Sequence, residues 1–171
     1  ARGRPRVMGH RAGFKSVRLV VETAREMGVE VLSVYAFSVE NWKRPTVEVS
    51  TLMGLLTEYL QRELPNLRRH EIRLNVLGEL EGLPRNVQTH LRRVLDATVG
   101  NQRMILNLAL NYGGRAEILQ AVKKAASLVK VGRLRLNQLD EAAFSRFLYT
   151  DGQPDPDLLI RTSGEQRISN F

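Results

Sequence analysis

The chain has 171 residues, a formal net charge of +8, 43% hydrophobic residues and no cysteine. That length fits one domain burying about two thirds of its unfolded surface, and the composition excludes a disordered chain. Without cysteine, a disulfide framework and a thiolate metal site are excluded as well. No apolar run reaches the roughly 18 residues of a membrane span and no signal peptide opens the chain, which makes the cytoplasm the default compartment.

Residues 1–18 hold Arg2, Arg4, Arg6, Arg11, Lys15 and Arg18 and no acid. Such a segment attracts phosphate of any kind, whether in nucleic acid, a lipid head group or a small ligand. A solvated basic tail is the alternative reading. From Phe14 the apolar residues Phe14, Val17, Val21, Ala24 and Met27 recur at the spacing of one helix face, and Gly28 follows as a C-terminal cap. The run Val31–Phe37 is nearly continuous in apolar strand formers, as in a strand buried on both faces. A polar loop, Ser38 to Pro45, leads into a second helix that turns Val49, Leu52, Leu56, Tyr59 and Leu60 inward. Pro65 is expected to kink or stop that helix.

The pattern then repeats. Ile72, Leu74 and Val76 mark a strand ending at Gly78, and Pro84 opens a helix with Val87, Leu91, Val94 and Leu95 on one face. Met104 to Leu110 reads as another buried strand. Ile118, Val122, Ala125 and Val129 follow as a helix stopped at Gly132. A short helix from Asp140 to Leu148 precedes a last strand, Asp157 to Arg161. Alternation of this kind predicts an α/β fold: a single domain with a mainly parallel sheet flanked by helices.

The chemically informative residues fall after the predicted strands. Ser38 to Arg44, Asn111 to Arg115 and Arg161 to Ser169 each follow one, where open α/β sheets place their ligands. Each stretch also has a structural reading. Gly113 and Gly114 suit a tight turn, whose amides at a helix start can still help hold an anion. Glu40 and Asn41 could cap the next helix, although Thr46 is better placed to do so. Trp42, the only tryptophan, lies in a polar loop and reads as a contact or lid residue. His10 sits among Arg6, Gly9 and Gly13, which leave room for a phosphate, or else it is a surface histidine. Arg161 is costly to bury without an anionic partner, and only Glu165 is near it and Arg167 in sequence.

Taken together, Gly9–Gly13, Tyr35–Pro45, Asn111–Arg115 and Arg161–Phe171 resemble the cis-prenyltransferase family, in order and with family-like spacing over the whole chain. The resemblance implies successive condensation of isopentenyl diphosphate onto farnesyl diphosphate with cis geometry, giving the long lipid carrier used in cell-wall synthesis. By the same resemblance Arg6 and His10 hold the allylic diphosphate. Ser38, Val39, Glu40, Trp42 and Arg44 form a mobile loop that organises both substrates, and Asn41 is the residue associated with proton removal. A neutral amide has little basicity, so Asn41 either orients substrate or orients the true base, for which a diphosphate oxygen is a candidate. Arg161, Arg167, Ile168 and Ser169 grip isopentenyl diphosphate, and Met104 lies at the floor of an apolar tunnel.

Magnesium is the implied cofactor, a homodimer the implied assembly, and transient contact with the membrane surface follows from the lipid product. The family also carries a preceding strand with an Asp-Gly-Asn-Gly-Arg-Trp stretch, and a following strand with a metal-associated glutamate. The 171 residues contain neither. Gln166 stands where some members have a histidine, so no metal ligand is assigned in this chain. The expectation is a single domain truncated at both ends relative to the family, with little or no turnover by itself. Two other classes remain as alternatives. A catalytically silent partner subunit has little need of Asn41, Trp42, Arg161 and Arg167 together. A basic nucleic-acid-binding module predicts stacking aromatics, but aromatics are only 6% of the chain.

Overall fold

The computed structural model describes residues 6–162 and 164–171, the side chains of residues 6–8, 10 and 11 excepted. The chain is α/β, as expected, and divides into two compact units, Ala1–Asn111 and Tyr112–Phe171.

The first unit opens with α1, Arg6–Glu26, which begins well before Phe14 and includes the Gly9–Gly13 stretch. Val21 and Ala24 are buried, with Phe14 and Val17 packed against the same core. Gly28, at φ +78°, closes the helix in the left-handed conformation that glycine adopts without steric cost. Met27 departs from expectation: it lies beyond the last helical turn and is exposed. Strand β1, Val31–Ser38, departs further. Ser33, Tyr35 and Ala36 are exposed, and only Phe37 and Ser38 are buried. An apolar run reads alike at a sheet's centre and at its edge, and among the described residues β1 lies at one edge of a three-stranded sheet, with Met104–Tyr112 at the centre and Ile72–Leu77 at the other edge.

Between β1 and the next helix, Val39–Lys43 forms a 3₁₀ turn rather than an open loop. Helix α2, Thr46–Arg69, buries Val49, Leu56, Leu60 and Leu67 and leaves Tyr59 half-buried. It continues through Pro65 instead of stopping there. The carbonyl that loses its partner belongs to Gln61, and both Gln61 and Pro65 are exposed, so water can satisfy it. Thr46 is the first helical residue and Pro45 the cap position, so Thr46 does not cap.

Strand β2, Ile72–Leu77, pairs in parallel with β3, Met104–Tyr112, in the register Ile72↔Met104, Leu74↔Leu106 and Val76↔Leu108. Helix α3, Arg85–Thr98, lies between them in sequence and buries Val87, Leu91 and Val94 as its periodicity predicts. Strand β3 is central and almost wholly buried. A polar ladder crosses the sheet: Asn75 Nδ2 donates to Asn107 Oδ1 (2.9 Å), and Asn107 Nδ2 donates to Ser33 Oγ (3.0 Å). A one-residue slip would break both bonds, so the ladder specifies register as firmly as the apolar pattern does.

In the second unit, α4, Gly114–Lys130, buries Ala121 and Ala125, while Ile118 and Val122 are exposed. Of the expected stripe Ala125 is buried, and Ala121 rather than Ile118 or Val122 is buried with it. Glu117 ties the unit together: Oε1 accepts from the Tyr149 N–H (2.6 Å) and Oε2 from the Tyr112 hydroxyl (2.7 Å). Helix α5, Glu141–Ser145, is capped by Asp140, whose Oδ1 accepts from the Ala143 N–H at 2.8 Å. The expected strand at Asp157–Arg161 is not formed, and Leu158, Leu159 and Ile160 are exposed. Strand formers need a neighbouring strand, and among the described residues none pairs with this segment. No helix among the described residues is long and apolar enough to cross a membrane.

Candidate functional site

In the first unit the site is built where strands end. Ser38, buried, closes β1, and its N–H donates to Asn41 Oδ1 at 3.0 Å. The Asn41 carbonyl in turn accepts from the Arg44 N–H at 3.1 Å. Asn41 therefore organises its own turn rather than capping α2, and its side-chain oxygen already has a donor. The Arg44 guanidinium bonds Glu48 Oε1 at 3.0 Å one helical turn along. Glu40 is exposed and Val39 half-buried on the same turn.

Trp42 is neither core nor free lid. Its ring meets Phe37 edge-on, with centroids 5.0 Å apart, and its indole N–H donates to Asn111 Oδ1 at 2.7 Å. Asn111 Nδ2 donates to the Glu79 carbonyl at 3.0 Å. Asn111 is buried at 7% exposure and holds φ +51°, a left-handed conformation uncommon outside glycine. The last turns of all three strands thus meet through this one amide. Asn111 belonged to a legible motif but was not among the expected site residues. An asparagine ending a strand ahead of Gly-Gly was the available signal, because asparagine tolerates the left-handed region.

Below these strand ends, still within the first unit, α1, α2 and the sheet line a narrow cleft. Leu60, Leu67, Ile72, Leu74, Leu106 and Leu108 form its apolar wall. Its polar margin includes Glu63, 5% exposed, whose Oε2 accepts from Asn66 Nδ2 at 2.9 Å. Arg18 Nη1 stands 3.6 Å from Glu63 Oε1. Tyr59 lines the same cleft, and burial, reinforced by the Glu63 charge, pushes its phenol up to about 12. It therefore stays a neutral donor at any physiological pH. Met104, 2% exposed, opposes Ile72 at the start of β3, the strand end away from the turns described above.

In the second unit the expected basic cluster assembles, but not behind a strand. Arg161 is exposed, so no burial cost has to be met by an anion, contrary to expectation. Its Nη1 donates to Ser169 Oγ at 3.0 Å and also to the Arg167 carbonyl. The Arg167 guanidinium pairs with Glu165. Ser169 has φ +54°, and Ile168 is exposed beside it. The first amide of α4 is already engaged: Gly114 N donates to the Asn170 carbonyl at 2.8 Å, so it is not available to an anion in this arrangement. The geometry offers two arginines and a hydroxyl on one short segment, donors suited to diphosphate oxygens.

The side chains of Arg6 and His10 lie outside the described residues. Their backbone is helical, and open space surrounds Gly9 and Gly13 on the same helix. Among the described residues no three His, Asp or Glu side chains gather to hold a metal ion. No residue is assigned to the implied magnesium.

Over residues 1–171 the chain matches the family described as "Putative undecaprenyl diphosphate synthase". It is 51% identical over 170 residues to an isoprenyl transferase of Heliobacterium mobile, covering 99% of this chain and 65% of that protein. It is 46% identical over 169 residues to the (2E,6E)-farnesyl-diphosphate-specific ditrans,polycis-undecaprenyl-diphosphate synthase of Shewanella oneidensis, covering 99% of this chain and 62% of the relative. Among solved structures, lavandulyl diphosphate synthase from Lavandula x intermedia, in complex with dimethylallyl diphosphate, superposes with a TM-score of 0.96 at 34% identity. That match covers 99% of this chain and 74% of the other. The chain thus spans about two thirds of the length of the curated relatives it matches.

Proposed function

The chain belongs to the undecaprenyl diphosphate synthase family of prenyltransferases, and from that membership we propose that it condenses isopentenyl diphosphate onto an allylic diphosphate, farnesyl diphosphate being the primer. The product is a long cis-polyprenyl diphosphate, precursor of the lipid carrier for cell-wall synthesis. The observation that carries this reading is a pairing within one unit. The turn bearing Asn41, Trp42 and Arg44 leaves the carboxyl end of β1, and α1, α2 and the sheet line a narrow apolar cleft of about 30 Å³, a seam that has to open to admit a hydrocarbon tail. A charged head and a hydrocarbon tail need that combination.

In the reaction the allylic carbon–oxygen bond breaks and diphosphate departs. A carbon–carbon bond forms to the terminal alkene carbon of isopentenyl diphosphate, positive charge develops on the methyl-bearing carbon beside it, and a proton leaves the next carbon, C2, so that the double bond moves to C2–C3. Negative charge grows on the departing group, so fixed donors such as Arg6 and His10 lower the barrier. Arg161, Arg167, Ile168 and Ser169 seat isopentenyl diphosphate. Ser38, Val39, Glu40, Trp42 and Arg44 position the reacting groups, and Asn41 orients the proton-accepting oxygen rather than acting as a base itself. Magnesium would help neutralise the diphosphates when bound.

Titration calorimetry with farnesyl diphosphate and isopentenyl diphosphate tests the substrate assignment. Saturable heats for both support it, and heats for neither contradict it. The family resemblance makes a further prediction. Met104→Ala removes bulk where β2 and β3 begin, and the product distribution of the full-length enzyme is expected to shift to longer chains. An unchanged distribution removes Met104 from the tunnel floor. The protein is further expected to act in the cytoplasm as a homodimer, touching the membrane surface through its product. Light scattering that finds only monomer at micromolar concentration contradicts the dimer.

A further inference from the structure

We propose that Asn111 is a positioning residue, holding the substrate turn in place through the indole of Trp42. The chemistry of the contact is selective. An indole N–H can only donate and a backbone carbonyl can only accept, whereas a neutral amide does both at once. Asn111 uses its oxygen on Trp42 (2.7 Å) and its nitrogen on the Glu79 carbonyl (3.0 Å). Aspartate in its place would set a carboxylate oxygen against that carbonyl, and an aliphatic residue would serve neither partner.

The surroundings are shaped for this amide. A Cβ at Gly82 would stand 2.5 Å from Asn111 Nδ2, so glycine there leaves the space the amide fills. Asn111 is 7% exposed and holds φ +51° at the end of the central strand. A left-handed backbone at such a place marks a side chain held for a purpose beyond pairing the strand. The consequence reaches the turn. Trp42 stands between Asn41 and Arg44, and the Ser38 and Arg44 amides both bond Asn41. With Trp42 pinned to Asn111 and Phe37, the whole Val39–Lys43 turn is placed relative to the end of β3. The part of the inference that concerns catalysis rests on the function proposed above. The geometric part does not.

Two readouts keep these separate. Trp42 is the only tryptophan of the 171 residues, so its fluorescence reports the contact directly. Asn111→Gly keeps the left-handed backbone at no steric cost but removes the amide. It is expected to shift Trp42 emission to the red and to raise acrylamide quenching several-fold. If that variant fails to fold, Asn111→Ala, which also removes the acceptor for the indole, is read in the same way. Unchanged emission and quenching in the folded variant overturns the proposal. In the full-length enzyme, either variant is expected to raise KM for the diphosphate substrates about tenfold, with a smaller change in kcat. Trp42→Phe should reproduce that effect, and the double variant should be no worse than either single one. Additive losses also overturn the inference. A wild-type enzyme without prenyl transfer would sink the functional reading alone, leaving the fluorescence result to decide the contact.

Discussion

Arg161→Ala is expected to weaken binding of isopentenyl diphosphate by about 10- to 150-fold, the loss of roughly 1.5–3 kcal/mol from a charge-assisted hydrogen bond. Farnesyl diphosphate should be far less affected. The selectivity follows from how the arginine is held. Its Nη1 is tied to Ser169 Oγ and the Arg167 carbonyl, which fixes the guanidinium plane beside a second arginine and a hydroxyl. Glu165 already neutralises part of Arg167, so Arg161 offers the less compensated charge of the two. Arg6→Ala is expected to show the reverse preference. Calorimetric titration of each variant with each diphosphate gives the four numbers needed. Equal losses for both ligands in both variants would mean that the two subsites are wrongly assigned.

Gly78→Ala is expected to destabilise the first unit by more than about 4 kcal/mol, in the range reserved for severe steric mechanisms. The new Cβ would stand 2.0 Å from the Leu110 carbonyl oxygen, a separation real Cβ atoms do not show. The backbone at φ +130° is also one that side-chain-bearing residues rarely adopt. Neither neighbour yields easily, because Leu110 belongs to the buried central strand and Glu79, the next residue, holds Asn111. Such a loss is a large share of the 5–15 kcal/mol that stabilises a typical domain. Denaturant unfolding followed by circular dichroism measures it. A midpoint within the error of wild type would contradict the close approach of the two strand ends.

How far the sequence was legible can be judged element by element. Helix α3 and strand β3 were readable because burial there is decided by local periodicity: Val87, Leu91 and Val94 on one face, and an almost unbroken apolar run in the strand. Strand β1 was identified in place but misjudged in burial, since a linear pattern does not state which strand is central. The stripe on α4 was misjudged for a related reason. Hydrophobicity favours Ile118 and Val122, which are exposed, whereas of the expected face Ala125 is buried and Ala121 joins it. Leu158 to Ile160 have strand chemistry without a strand partner among the described residues, and pairing is a property of two segments rather than one.

The site divides in the same way. The Ser38–Arg44 and Arg161–Ser169 stretches stood out because their spacing resembles that of a family, and local bonds gather each stretch within its own unit. Asn111 escaped because its role depends on two partners, Trp42 and Glu79, that are distant in sequence. Pro65 within α2 shows the converse. A strong local rule gave way because the orphaned carbonyl belongs to an exposed residue, while Leu60 and Leu67 on the same helix are buried.

The most direct test of the proposed activity is incorporation of labelled isopentenyl diphosphate into extractable polyprenyl diphosphate. The protein is supplied with farnesyl diphosphate and magnesium. The account predicts long-chain product, abolished when farnesyl diphosphate is omitted. No incorporation under these conditions would contradict it.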